Sequence, residues 1–196
     1  WKCEMGCMGR RGVGFICDCG FQKSCEEQSV CSGAAMKLII QRCAHVVGGS
    51  CVEISFGGST ILVDIGLPLD FDSDESIESC LPQSLFHTLR QGGKFIDGVL
   101  LSHPHLDHYG LAGQLPAAIP VYCGKASWDL MNATAHFSPN KVPLPNVEHF
   151  EAWQKFQIGK FTITPYLMDH SAFDSYGFLI CADGKNIFYS GDFRGH

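Results

Sequence analysis

The chain has 196 residues, 45% hydrophobic and 17% charged, with a formal net charge of −6. A chain of this size can bury roughly 70% of its extended surface, so its length forces neither disorder nor dependence on disulfides or metals. The low charged fraction and 22 glycines point to strands and turns and away from a helical bundle, and the acidic balance excludes a global basic field, though not a local basic groove.

Residues 1–35 differ from the rest. Six of the eleven cysteines fall there: Cys3, Cys7, Cys17, Cys19, Cys25 and Cys31. Their C-x3-C, C-x-C and C-x5-C spacings fit a zinc knuckle poorly, and a disulfide framework needs an oxidising compartment and a secretory signal. The stretch is expected to be a Cys-rich leader outside the fold, with the domain proper at 36–196. Cys43, Cys51, Cys80, Cys123 and Cys181 lie in or beside apolar strands and read as buried reduced thiols. No apolar run reaches the length of about 18 residues that a membrane helix needs, and a cytoplasmic setting is the expectation.

From Met36 the pattern becomes regular. Lys37–Gln41, Cys51–Phe56 and Ser59–Asp64 read as strands, the last two joined at Gly57-Gly58. Residues 68–93 carry Asp70, Asp72, Asp74, Glu75 and Glu78 and then SLFHTLRQGG, a loop followed by a short helix. Phe95–Ser102 is a buried strand running into HPHLDH, after which Tyr109–Leu115 is expected to be helical. A strand at Pro120–Cys123, a helix at Lys125–His136 and a strand at Lys160–Tyr166 follow. Tyr176–Cys181 and Asn186–Ser190 form a hairpin about Asp183-Gly184. Strands with helices between them give an α/β layered domain.

The chemistry gathers at strand ends. His103, His105, Asp107 and His108 are four ligand-type side chains in six residues just past a buried strand. Imidazole with carboxylate suits zinc, iron or manganese. Asp64, His170 and Asp192 each follow or end another strand, so four strand ends converge on one expected centre. Other residues have plainer readings. His45 reads as a turn histidine, His87, His136 and His149 as surface or packing residues, and Phe156, Phe161, Tyr166, Phe173 and Tyr176 as core rather than a base-stacking platform.

LVDIG, HPHLDH, the isolated His170 and SGDF, in that order, resemble the first four motifs of the metallo-β-lactamase fold superfamily, over roughly residues 37–196. The resemblance implies an αβ/βα sandwich with two metals, zinc foremost, in a cleft at one sheet edge. His103, His105 and His170 would hold the first metal, Asp107 and His108 the second, and Asp192 would bridge them. Asp64 would orient the loop histidines. Members usually complete the second metal with a histidine from a later motif, and His196 stands too close to Asp192 to match it. The sequence is therefore expected to be an amino-terminal part of the sandwich.

The reaction implied is hydrolysis by metal-activated water, with Asp107 as the proton acceptor or donor. The segment H-S-x-x-D-S at 170–175, with VGGSCVEI and GDFRGH, is similar to the ribonuclease J-like β-CASP branch. That likeness implies phosphodiester hydrolysis of RNA, or of DNA, with Ser171, Asp174, Arg194 and His196 on the substrate side. Two alternatives stay open: a hydrolase of small esters or thioesters, and a metal-binding fragment without activity. The oligomeric state is not legible.

Overall fold

The structure is a computed structural model and describes residues 15–18, 35–42, 44–72, 74, 76–82, 85, 96–137, 142, 144 and 146–195. Eleven strands form two sheets among these residues. The six-stranded sheet runs in order through β2 (Lys37–Arg42), β3 (Cys51–Phe56), β4 (Ser59–Ile65), β5 (Gly98–Leu100), β6 (Val121–Gly124) and β7 (Val147–Phe150). β2, β3 and β4 pair antiparallel, and β4 to β7 pair parallel. The five-stranded sheet is antiparallel, in the order β1 (Phe15–Asp18), β11 (Lys185–Tyr189), β10 (Tyr176–Ala182), β9 (Phe161–Leu167) and β8 (Phe156–Ile158). Two helices matter for the site: α1 (Leu106–Tyr109) and α2 (Lys125–Thr134).

The alternation of side chains along β4 explains the layering. Leu62, with Val99, Leu101, Val121 and Met131, packs in a core beneath the helices. Ile61 and Val63, with Leu100, Phe161, Phe178 and Ile187, fill the core between the two sheets. Every residue of β4 is buried, as expected of a strand covered on both faces. At about 25 cal/mol per Å2 of apolar surface, a fully buried Ile or Leu contributes about 1.5–3 kcal/mol, so both cores stabilise the strand that ends at Asp64.

Several expected elements end elsewhere. The helix expected at Tyr109–Leu115 begins earlier, inside the histidine motif, with Gly110 N–H donating to Leu106 O at 2.8 Å; a 3-10 turn follows at Ala112–Gln114. The strand expected at Phe95–Ser102 narrows to Gly98–Leu100. β7 and β8 are not marked by an apolar pattern in the sequence; both are short, and only one residue of each is fully buried. Phe15–Asp18 belongs to the stretch expected outside the fold, yet pairs along β11 from Phe15 with Tyr189 to Asp18 with Asn186. The pairing satisfies backbone groups that an open strand edge would leave exposed. Apart from Leu85, the short helix expected before Gly92-Gly93 lies outside the described residues, as do His87, Cys43 and most leader cysteines. Phe161 and Tyr176 are buried core residues, whereas Phe173 is 74% exposed and is not part of the core. Cys51, Cys80 and Cys123 are buried free thiols, and Cys181 is half-buried. Burial pushes Cys51 and Cys123 up to about 12, which keeps them protonated and poor metal ligands. No helix among the described residues is long and apolar enough to cross a membrane.

Candidate metal centre

The site begins with an irregularity in β4. Val52 pairs with Val63 and Cys51 with Ile65, so Asp64 is an extra residue in the ladder, at φ 56°. A bulge of this kind turns a side chain out of the normal alternation, and Asp tolerates the left-handed region better than most residues. The buried carboxylate is thereby aimed at the neighbouring strand ends. Its Oδ1 accepts from Ser102 N–H at 2.7 Å. Its Oδ2 accepts from Ser102 Oγ at 2.8 Å, from Tyr189 OH at 2.6 Å and from His108 Nδ1 at 2.7 Å. The next residue but one, Gly66, touches the histidine loop: a Cβ there would stand 1.7 Å from Asp107 O. Ser50 N–H also donates to Asp107 O at 3.0 Å, and Leu67 N–H to Leu106 O at 2.9 Å.

This network assigns the imidazole protons. Ser102 has one hydroxyl hydrogen, and it goes to Asp64; towards His103 Nδ1, at 3.0 Å, Ser102 Oγ acts as acceptor. His103 therefore carries its proton on Nδ1 and turns a bare Nε2 inward. Likewise His108 donates through Nδ1 to Asp64, and its Nε2 faces the acidic side of the cleft. Holding the outer nitrogen as a donor is how proteins orient histidine for metal binding.

Three nitrogens then converge. His103 Nε2 is 3.1 Å from His105 Nδ1, which is 3.4 Å from His170 Nε2. The edges of a tetrahedron with zinc–nitrogen bonds of about 2.0–2.1 Å are about 3.3–3.4 Å, so the donor set fits a single zinc-sized ion. His103, His108 and Asp192 make a second group able to hold a metal. Asp192 spans the two: one oxygen lies 3.5 Å from His108 Nε2, the other 3.8 Å from His170 Nε2. Asp107 Oδ2 is 3.7 Å from His108 Nε2. Five of the six side chains expected at the centre fall in these two groups; Asp107 belongs to neither and stands beside them, and the second group takes His103 where Asp107 was expected.

The electrostatics match a site lacking positive charge. Burial, then the neighbouring imidazoles of His108, His105 and His170, hold His103 far below the ordinary imidazole value. Burial and the nearby His105, His108 and Arg194 also lower His170, against the pull of Asp192. Burial would depress His108 too, but the charge and hydrogen bond of Asp64, with Asp192 and Asp107, raise it above the ordinary value. Neutral imidazoles on one side and carboxylates around a cation-favouring imidazole on the other are the arrangement a divalent ion satisfies. Beside the centre lies a cleft of about 410 Å3 with Leu69, Pro104, Leu106 and Met131 on its apolar walls and His105 and Asp107 at its edge.

The residues expected on the substrate side separate. Ser171 is exposed, with Oγ 3.5 Å from His170 Nε2. Arg194 is exposed, and its Nη1 is 3.8 Å from Asp169 Oδ1. Asp174 is not presented to the cleft: both of its oxygens are engaged by Ser127 N–H and Tyr176 OH. His196 lies outside the described residues. His45 is exposed in a bend, and His149 Nδ1 contacts Cys123 O at 3.3 Å, away from the centre. Sequence reasoning missed Ser102 and Tyr189. Tyr189 had a usable signal, because alternation along β11 puts it on the inward face with Ile187, and a buried phenol needs a polar partner.

Residues 72–195 match the Beta-lactamase superfamily domain. The chain belongs to the β-lactamase superfamily. This superfamily member is 28% identical over 153 residues to ribonuclease J of Mycoplasma genitalium, a match covering 76% of this chain and 26% of that protein. It is 37% identical over 67 residues to Integrator complex subunit 11 of Danio rerio, covering 33% of this chain and 10% of that protein. Among solved structures it is similar to the metallo-β-lactamase fold protein YhfI from Bacillus subtilis, with a TM-score of 0.51, 23% identity, and coverage of 74% of this chain and 58% of that one. The superfamily domain thus has the metallo-β-lactamase αβ/βα fold, and it spans about a quarter of the length of its ribonuclease J relative.

Proposed function

We propose that this superfamily domain carries the metal centre of a hydrolase that cleaves phosphodiester bonds in RNA, or in DNA. The observation that carries the reading is the convergence of His103 Nε2, His105 Nδ1 and His170 Nε2 at tetrahedral-edge distances, with Asp192 spanning to His108. Ribonuclease J among its relatives supports the choice of substrate. His103, His105 and His170 would hold one ion, His108 and Asp107 a second, with Asp192 between them; zinc suits the nitrogen-rich first set. When bound, a divalent ion supplies Lewis acidity, making water a stronger acid and neutralising charge that develops on a phosphoryl oxygen.

The chain's own residues do the rest. Asp64 and Ser102 fix the rings of His103 and His108, so their inner nitrogens need no reorganisation on binding. Asp107, half-buried at the edge of the cleft, is placed to accept a proton from the attacking water and to return it to the leaving oxygen. Leu69 and Leu106 supply an apolar wall to the cleft beside the centre, against which a substrate would pack. Arg194 is a cation beside the Asp192 loop, suited to a backbone phosphate once it leaves Asp169.

The test is cleavage of an end-labelled RNA by the complete protein. Cleavage is expected with zinc or manganese, lost with a chelator and restored by metal. Asp107→Ala is expected to lower turnover by about 100-fold to 10000-fold; a loss under tenfold would remove its assigned role. Intact RNA together with rapid loss of a thioester would replace this reading with small-ester hydrolysis. Metal binding with neither activity would leave a metal-binding fragment.

A further inference from the structure

His170 is held differently from the other histidines. The outer nitrogens of His103 and His108 are fixed by Ser102 and Asp64, whereas among the described residues nothing holds His170 through Nδ1; its contacts run through Nε2. The placement of its ring therefore rests on the loop that carries it. That loop, 169–175, is closed at its base by Met168 N–H donating to Ser175 O at 2.9 Å and internally by Ser175 Oγ donating to Ala172 O at 2.9 Å. Its far end is tied to α2. Asp174, at φ 64°, accepts from Ser127 N–H through Oδ2 at 2.7 Å and from Tyr176 OH through Oδ1 at 2.7 Å, and its backbone oxygen accepts from Ser127 Oγ at 2.8 Å.

The partner on α2 has a need of its own. A helix leaves its first four N–H groups without intrahelical acceptors, and a side chain at the cap position usually supplies one. Here the cap position is Gly124, which has no side chain, and no side-chain cap bond comes from within the helix. A carboxylate from another loop takes that place, where the helix dipole favours negative charge. The fit is tight: a Cβ on Gly124 would lie 2.2 Å from Asp174 Oδ2 and 2.8 Å from a Tyr176 ring carbon. Gly124 itself has φ −60°, which any residue adopts, so the absent side chain matters for the room it leaves and not for backbone freedom.

We propose that Asp174 is a positioning residue for His170: by capping α2 from across the fold, it fixes the loop that aims the third imidazole at the metal centre. The proposal rests on the reading of His170 as a metal ligand only for its consequence on metal affinity. It removes Asp174 from the substrate side and gives the second half of the H-S-x-x-D-S segment a mechanical role. It also makes Gly124 and Ser127, neither near the ligands in sequence, part of the support of the centre.

The test is titration of the full chain with Co2+, followed by its visible absorption, beside the ring 15N–1H resonances of His170 in metal-free protein. Asp174→Ala is expected to weaken Co2+ binding by about 10–100-fold and to alter the absorption spectrum. Asp174→Asn is expected to recover most of the loss, since its amide oxygen can still accept from Ser127 N–H and its NH2 can face the Tyr176 oxygen. Gly124→Ala is expected to reproduce Asp174→Ala without altering the loop sequence. In a His170→Ala background, Asp174→Ala is expected to cost less than about twofold more, because the two act through one contact. Additive losses in the double variant, or unmoved His170 resonances with unchanged Co2+ affinity, would overturn the proposal. If the parent chain takes up no Co2+, the metal reading itself fails, and the His170 resonances of the metal-free Asp174→Ala and Gly124→Ala proteins still decide the positioning role.

Discussion

His108 and His170 face the same Asp192, at 3.5 and 3.8 Å, but reach it by opposite means. His108 is buried and held by a side chain, the Asp64 carboxylate, which also gathers Ser102 and Tyr189. His170 is only half-buried, and its aim is set by backbone, through a loop tied at Asp174 to the start of α2. The difference separates stability from adjustability. A buried carboxylate shared by several donors cannot be altered without unpairing them, whereas the His170 loop carries exposed side chains, Asp169, Ser171 and Phe173, that can be altered at small cost to the fold.

Substitutions can break or sharpen that contrast. Asp64→Ala is expected to have the largest effect, destabilising the chain by about 3–5 kcal/mol, as loss of one member of a buried ion pair does. Chemical unfolding measures it, and a loss below about 1 kcal/mol would mean the network is not the support described. Gly66→Ala follows, at about 1–3 kcal/mol, because its Cβ cannot coexist with Asp107 O. Metal stoichiometry should fall with it, since the displaced backbone carries Asp107. Tyr189→Phe removes one of the three donors to Asp64 Oδ2 and is expected to cost about 0.5–1.5 kcal/mol, with His103 and His108 still bound to their partners. On the His170 side, Phe173→Ala is expected to change stability by no more than about 0.5 kcal/mol, given its 74% exposure. A larger loss would show that the loop is packed more firmly than the contrast allows.

The same contrast explains what could be read from the sequence. Ligand-type residues at strand ends were legible because an unbroken apolar run changes abruptly to ligand types, as from Val99-Leu100-Leu101 to His103, even where the strand itself is short. The start of α1 was not, because a single turn closed by Gly110 N–H on Leu106 O has too few residues to show a period. β7 and β8 were hidden for a similar reason, being three or four residues long with little burial. The bulge at Asp64 and the cap on α2 were invisible for another. Each depends on residues brought together by the fold, Cys51 with Ile65 and Asp174 with Ser127, and neither partner carries a local signal of the other. The motif letters placed Asp174 with the substrate; the fold gives its carboxylate to a helix.

β4 has one more consequence. Ile61, Leu62 and Val63 are paired with β3 on one side and β5 on the other, and buried on both faces. Their amides should exchange with solvent deuterium only when the whole domain unfolds, on the slowest timescale in the molecule, while those of 169–175 exchange through local opening. The strand that delivers Asp64 is in that sense the part of the centre set only by global folding, while the His170 side depends on the few bonds that hold 169–175.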